Sequence, residues 1–237
     1  MKQTIRFAFY KSIPVLLGYV FLGFAFGLLL QEAGYSFWWA LLSSVIVYAG
    51  SIQFVLVDFL SGGTSLPVIA VMTLLINSRH AFYGLSFVEK FRRMKTYPYM
   101  VFSLTDETYS LLCSLKTPEG VDEKKAMFFI SLFDQLYWIG GSVLGGVLGQ
   151  LLPFDMTGID FAMTALFVTI FVDQWREART HLPAVIGLIS SVVCLLIFGG
   201  NNFILPSLII TVGLLMALRN RIEGRIEKRP ERKAEEA

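Results

Sequence analysis

Charge is scarce in this chain: Asp, Glu, Lys and Arg make up 16% of its 237 residues, against about 25% in a soluble globular domain. With 55% apolar residues and a mean hydropathy of +0.63, that shortage points to a chain mostly dissolved in lipid. Low charge together with 21 phenylalanines also excludes disorder, which needs the opposite composition. A net charge of +2 leaves no surplus for a phosphate footprint, so no nucleic-acid partner is expected. There are only two cysteines, Cys113 and Cys194. They lie in apolar stretches without a partner at metal-ligand spacing, which argues against a disulfide framework or a zinc site; both are expected to be small buried residues. Catalytic templates are missing too: no nucleotide-binding glycine loop, His-Glu-x-x-His helix or G-x-S-x-G elbow occurs. Neither an enzyme nor a cofactor or metal is indicated.

What the chain does have is long uncharged runs. A bilayer core of about 30 Å is crossed by about 20 apolar residues as a helix. Residues 13–30 follow Lys2, Arg6 and Lys11 and exceed the core of a cleavable signal, with no small-residue cleavage site behind them. They read as a retained first helix. Residues 37–57 form a second charge-free run, opened by the interfacial aromatics Phe37, Trp38 and Trp39. Residues 66–88 are interrupted by Asn77, Arg79 and His80, 97–115 by Asp106 and Glu107, 126–154 by Asp134, and 159–172 by Asp160. Residues 182–218 are too long for one crossing, and Gly199-Gly200-Asn201-Asn202 supplies a turn. The expected fold is an all-α integral membrane protein of about seven to eight transmembrane or re-entrant helices, with the fourth and sixth segments the weakest candidates for full crossings. Residues 1–218 form one membrane domain. Residues 219–237 form a charged tail whose Arg221, Arg225, Arg229 and Lys233 alternate with Glu223, Glu227, Glu231 and Glu235 at helical i,i+4 spacing.

Lys and Arg in short loops mark the cytoplasmic side. The tail, the 175–181 loop with Arg176 and Arg179, and the 116–125 loop alternate with uncharged or acidic loops at Gly199 and Asp155, which puts the C-terminus inside. The first half conflicts with itself. Eight full crossings place Lys90, Arg92, Arg93 and Lys95 outside, whereas a re-entrant fourth segment returns them to the cytoplasm but expels the basic N-terminus.

An internal repeat of residues 12–115 and 126–218 is suggested by two matches. Thr64-Ser65-Leu66-Pro67 resembles Thr180-His181-Leu182-Pro183, with Gly84 and Gly200 equally far behind, and Gly27 to Gln53-Phe54 resembles Gly149 to Gln174-Trp175. Three full crossings per unit would invert the halves; four would make them parallel.

The strongest chemical signal is Asn77-Ser78-Arg79-His80. A guanidinium at membrane depth persists only against protein, water or a counter-charge, and its planar fork suits a carboxylate. In a regular helix Asn77, His80 and Gly84 share a face while Arg79 points about 160–200° from Asn77, so a helix break here would favour a binding site. Thr105-Asp106-Glu107-Thr108 sets two acids side by side, where one is driven towards its protonated form; His80 could relay a proton. Ala49-Gly50-Ser51-Ile52-Gln53 can unwind and offers an amide, and Asp134 is a further intramembrane acid. Gly23 with Gly27, and Gly141, Gly145 and Gly149, have the spacing of close helix contacts.

In order and spacing, Pro14 with Gly18, the 49–54 stretch, Asn77-Ser78-Arg79-His80 and Thr105-Asp106-Glu107 resemble the AzlC family of branched-chain amino acid exporters, over roughly residues 5–218. The resemblance implies efflux of leucine, isoleucine, valine and analogues from bacteria, a multi-pass location in the cell membrane, and a small AzlD-type membrane partner. A zwitterionic substrate matches the residues read above. Arg79 would hold its carboxylate, with Asn77, Gln53, Gly50 and Thr105 around it, and Asp106, Glu107, His80 and Asp134 are the candidates for the ammonium or for proton coupling. Export of another small amino acid or solute, and a non-transporting assembly subunit, are the competing readings. A channel would need a continuous polar stripe, which the isolated clusters do not provide.

Overall fold

A computed structural model describes residues 1–151, 160–178, 180–199 and 203–219; the loop at Asp155, most of the turn at 199–202 and the tail beyond Arg219 lie outside the described residues. Among the described residues all regular structure is helical. The chain separates into two compact units, Met1–Ala165 and Leu166–Ala237. The first holds α1 (Lys2–Glu32), α2 (Phe37–Ile46), α3 (Gly50–Gly62), α4 (Leu66–Phe91), α5 (Tyr97–Phe102), α6 (Asp106–Cys113) and α7 (Glu123–Leu151). Helix α8 (Asp160–Glu177) runs across the division, and α9 (Leu182–Phe198) packs on α10 (Ile204–Ala217) in the second unit. Large apolar side chains are widely exposed, among them Leu17, Phe21, Leu188 and Leu196; lipid is the solvent that accepts such a surface.

Helices α1 and α7 run side by side in the same direction. Ser12 meets Tyr137, Tyr19 meets Trp138, and Gly149 lies against Leu28 and Gln31. The expected glycine contacts are what bring the two backbones together: Gly23 and Gly27 face the backbone of Trp138 and Ser142, and Gly141 and Gly145 face the carbonyls of Tyr19, Val20 and Phe24. Both helices are long and apolar enough to span a membrane. Helix α4 joins them as a third if its two parts, Leu66–Ala81 and Tyr83–Phe91, bent by 48°, count as one span.

The second and fourth segments each break and double back. The run expected as one helix at 37–57 is broken at Val47, Tyr48 and Ala49, with Tyr48 at φ +42°. Its second limb returns to the end it came from: Tyr35, ahead of α2, donates to the carbonyl of Leu60 near the end of α3. Non-helical backbone at this depth survives because protein groups satisfy it. The Ala49 N–H donates to Gln53 Oε1 at 3.2 Å, and Gln135 Nε2 donates to the Val45 carbonyl at 3.5 Å. Residues 97–113 likewise break at Ser103, Leu104 and Thr105. Thr105 is the N-cap of α6, accepting from the Thr108 N–H, and Asp106 and Glu107 sit in the first turn, where the helix dipole favours them.

The two hairpins enter from opposite ends. At one end Lys90 pairs with Glu123 at 2.7 Å, Lys124 donates to the Arg93 carbonyl, and Gly120 lies beside Gln3. The start of α1, the end of α4, the 114–122 loop and the start of α7 therefore share that end. Asp122 there accepts from the Lys125 N–H, a bond that holds its carboxyl below the usual range. At the far end a cleft of about 420 Å³ is lined by Leu29 and Glu32 of α1 and by Phe54, Val57 and Asp58 of α3. The breaks meet in the middle, where the rings of Tyr48 and Phe102 are 6.1 Å apart. With two segments turning back instead of one, the conflict in the charge pattern disappears: the basic N-terminus and the Lys90–Lys95 loop lie at the same end.

One further expectation changes. Cys194 is buried, but Cys113 is exposed, because it closes α6 where the hairpin emerges. The first compact unit extends past residue 126, because α7 packs along α1.

Candidate functional site

The bend in α4 lies beside the Asn77-Ser78-Arg79-His80 run, and Arg79 reaches both hairpins. Its Nη1 pairs with Asp106 Oδ2 at 2.9 Å and its Nη2 donates to Ser51 Oγ at 2.6 Å, while Nε has no partner. The two paired side chains are 20% and 26% exposed, so the pair is reachable and not sealed. Ser51 lies in the first turn of α3, whose leading N–H groups have no intrahelical acceptor and carry the positive end of the helix dipole. Arg79 thus links the Asp106 carboxylate to the start of α3 through Ser51, and its Nε is left for a further acceptor. Tyr83 holds Asp106 from the other side, donating to Oδ1 at 2.6 Å, and stacks on Tyr109. Asn77 keeps its Oδ1 buried and unpartnered. His80 stays on its own helix, with Nδ1 at 3.3 Å from the Asn77 carbonyl and its ring edge-on to Tyr83.

A second cluster lies between α1, α6 and α7. Tyr19 donates to Glu107 Oε2 at 2.7 Å and shares a hydrogen bond of 2.5 Å with Thr105 Oγ1. Thr105 bonds Thr108 at 3.0 Å, and Thr108 donates to Asp134 Oδ2 at 2.8 Å. Asp134 is fully buried, and its Oδ1 has no partner.

Gln53 and Gly50 belong to a third group. All four hydrogen-bonding positions of the Gln53 amide are taken within the protein: Oε1 accepts from the Ala49 N–H and from Trp138 Nε1 at 2.9 Å, and Nε2 donates to Ser43 and Ser44. Gly50 lies under the Trp138 ring, where an added Cβ would come within 3.1 Å. Gln53 thus pins the first break to α2 and α7. Gln53→Leu leaves two buried donors, the Ala49 N–H and Trp138 Nε1, unpaired, each costing about 1–3 kcal/mol. It is expected to lower the thermal midpoint of the detergent-solubilised protein by several degrees, whether or not substrate is present.

The expected residues therefore fall into an Arg79–Asp106 centre, a Glu107–Asp134 chain and a Gln53 pin. Tyr19 and Tyr83 were not singled out from the sequence, and Ser51 and Thr108 stood there only as members of the 49–53 and 105–108 runs, without a role of their own. Tyr19 reads there as one more apolar-run aromatic, but Thr105-Asp106-Glu107 is also a helix-start signature, and on that basis the break before α6 was detectable.

Two opposed half-helix hairpins whose breaks meet beside an intramembrane ion pair define a membrane transport protein. A model of the AzlC protein family matches residues 14–152, more than half of the chain. The chain belongs to the AzlC family. It is similar to the branched-chain amino acid transport protein AzlC of Bacillus subtilis, 39% identical over 221 residues that cover 93% of this chain and 87% of the relative. A membrane protein of Helicobacter pylori is 41% identical over 222 residues, 93% of this chain and 97% of its own. The inner membrane protein YgaZ of Escherichia coli is 28% identical over 178 residues, 71% and 72% of the two chains. No solved structure matches the chain.

Proposed function

We propose that this protein exports branched-chain amino acids across a bacterial cell membrane as a proton-coupled secondary transporter, working with a small AzlD-type membrane partner. The observation that carries the reading is Arg79: a guanidinium between the two hairpins, tied to Asp106 and Ser51, with its Nε unpartnered. A substrate carboxylate completes that fork, and its ammonium group finds the Asn77 Oδ1 or exchanges for the guanidinium on Asp106. The open and paired forms of the Arg79–Asp106 contact then give the carrier two states that substrate can bias. Glu107 and Asp134 serve the coupling proton, and Gln53 holds the first break in shape. The name of the Bacillus relative supports this substrate class. The test is efflux of labelled leucine, isoleucine and valine from preloaded cells, with and without a co-expressed AzlD-type protein. Efflux of none of them, even with the partner, discards this substrate.

We further propose that every basic segment is cytoplasmic. Helices α1, α4, α7, α8, α9 and α10 then cross and the two hairpins do not, so the N-terminus, Lys90–Lys95, Arg176, Arg179 and the tail share one side. A cysteine placed at Lys95 or at Lys2 is expected to resist a membrane-impermeant thiol reagent in intact cells and to react after permeabilisation. Labelling of either in intact cells refutes the orientation.

A further inference from the structure

The hydrogen-bond chain between Glu107 and Asp134 has one proton too few. Five oxygens stand in a row: Glu107 Oε2, Tyr19 OH, Thr105 Oγ1, Thr108 Oγ1 and Asp134 Oδ2, joined by contacts of 2.7, 2.5, 3.0 and 2.8 Å. Each contact needs one hydrogen between its oxygens. The three hydroxyls supply three, since a tyrosine or threonine hydroxyl donates once. The fourth has to come from a carboxyl group. The Thr108 N–H is no substitute, because it spends itself on Thr105 Oγ1 from outside the row.

We infer that Glu107 and Asp134 form a single proton-binding site, one proton shared between two carboxyl groups through the hydroxyls of Tyr19, Thr105 and Thr108. The chain has two complete arrangements. With the proton on Glu107, that carboxyl donates to Tyr19, Tyr19 to Thr105, Thr105 to Thr108, and Thr108 to an ionised Asp134. With the proton on Asp134 every bond points the other way and Glu107 is ionised. Passage between the two shifts one hydrogen across each contact, so that Glu107 loses a proton and Asp134 gains one with the total unchanged. Each hydroxyl releases its own hydrogen as it takes the next, so no charge is created along the way. The count excludes two ionised carboxylates at once, which would leave one of the contacts without a hydrogen. A second proton has no place in the row, whose four contacts are already filled, and would have to sit outside it on the far oxygen of either carboxyl group.

Burial favours the same occupancy. Asp134 is fully buried and its second oxygen has no donor, a costly place for a permanent charge. The groups facing the two acids do not supply the missing hydrogen. Arg79 is paired with Asp106, Tyr83 donates to Asp106, Tyr99 donates to Gln135, Tyr137 bonds Ser12, and the Tyr48 hydroxyl has no partner. This site deepens the coupling role given to Glu107 and Asp134 in the proposed transporter. It also separates that role from Asp106, whose oxygens are committed to Arg79 and Tyr83. A transport cycle would use it by presenting Glu107, next to the substrate centre, and Asp134, against α7, in alternation.

Infrared spectroscopy of the full chain in lipid nanodiscs reads this proton directly and without substrate. One carbonyl-stretch band of a protonated carboxyl group is expected at neutral pH, and it disappears in the double variant Glu107→Gln/Asp134→Asn. Tyr19→Phe and Thr105→Val, which cut the chain, are expected to shift the band, while Thr105→Ser restores it and Tyr109→Phe leaves it in place. A wild-type spectrum without the band overturns the inference, whatever the variants do. So does a band that survives the double variant, or one unmoved by both chain-cutting substitutions. The efflux assay is independent: a protein that keeps the band but exports no branched-chain amino acid removes the proposed function and leaves the proton site. One that exports them without the band does the reverse.

Discussion

Arg79→Ala is expected to abolish export while leaving the protein in the membrane. The guanidinium is the cationic group shared by α3, α4 and α6: it bonds Asp106 at 2.9 Å and Ser51 at 2.6 Å. Removing it takes the carboxylate-binding fork from the substrate and strips Asp106 of its counter-charge. Truncating one partner of a partly buried charged pair costs about 2–5 kcal/mol, and each 1.4 kcal/mol is about tenfold. Efflux should therefore fall by about 30-fold or more. Insertion should survive, because the α1–α7 contact and the Gln53 pin do not involve this residue. Arg79→Lys restores the charge but not the planar fork, so it should recover only part of the activity. Asp106→Asn leaves Arg79 with a neutral acceptor and should also impair export. The measurement is efflux of labelled leucine from preloaded cells, normalised to the amount of protein in the membrane. Normal export by a well-inserted Arg79→Ala variant would end the proposal.

The second large effect is structural. Gly145→Val and Gly27→Leu should each cost about 3 kcal/mol or more, at the upper end of what overpacking does in a tight core. A Cβ at Gly145 would land on the Phe24 carbonyl oxygen, and one at Gly27 on the Ser142 carbonyl oxygen. Neither obstacle is the far end of a flexible side chain, so the helices would have to move apart. Because Tyr19 and Trp138 sit on these two helices, separation would also loosen the Glu107–Asp134 chain and the first break. Loss of monodisperse protein after detergent extraction, with a lowered thermal midpoint, is the expected readout. Gly18→Ala is the control: a Cβ there meets nothing within 4 Å, and the variant should behave as wild type.

Much of the fold could be read from the letters. Apolar runs long enough for lipid mark α1, α7 with its lone Asp134, and the α9–α10 pair, because a bilayer imposes its thickness on any chain that crosses it. The Gly-xxx-Gly series announced a close helix contact, and the structure adds that the partners are α1 and α7. The second segment was misread as a span for a physical reason. Hydropathy measures solubility in lipid and not direction, and 37–57 is as apolar as a true crossing. Only the small residues at Ala49 and Gly50 hinted at the break, and they read equally well as a packing face. The fourth segment betrayed itself more clearly, since two adjacent acids after a threonine suit a helix start better than a helix middle.

The candidate site was legible as a set of polar residues and not as an arrangement. That a buried guanidinium needs a counter-charge follows from electrostatics alone, so Arg79 and the Asp106-Glu107 pair could be named from composition and position. Which acid answers it, and what the other does, depended on how two re-entrant hairpins meet. The turn of α6 aims Asp106 at α4 and Glu107 at α1, and neighbouring residues on a helix point about 100° apart. Gln53 changed role for the same reason: an amide that a sequence offers to any ligand is claimed here by Ala49, Ser43, Ser44 and Trp138. Tyr19, silent in the sequence, and Thr108, there only the last letter of the 105–108 run, became links in a chain once α1, α6 and α7 were brought side by side. Solvent preference is a property of each segment and is written locally, whereas partnership among buried polar groups is a property of pairs far apart in the chain and exists only after packing.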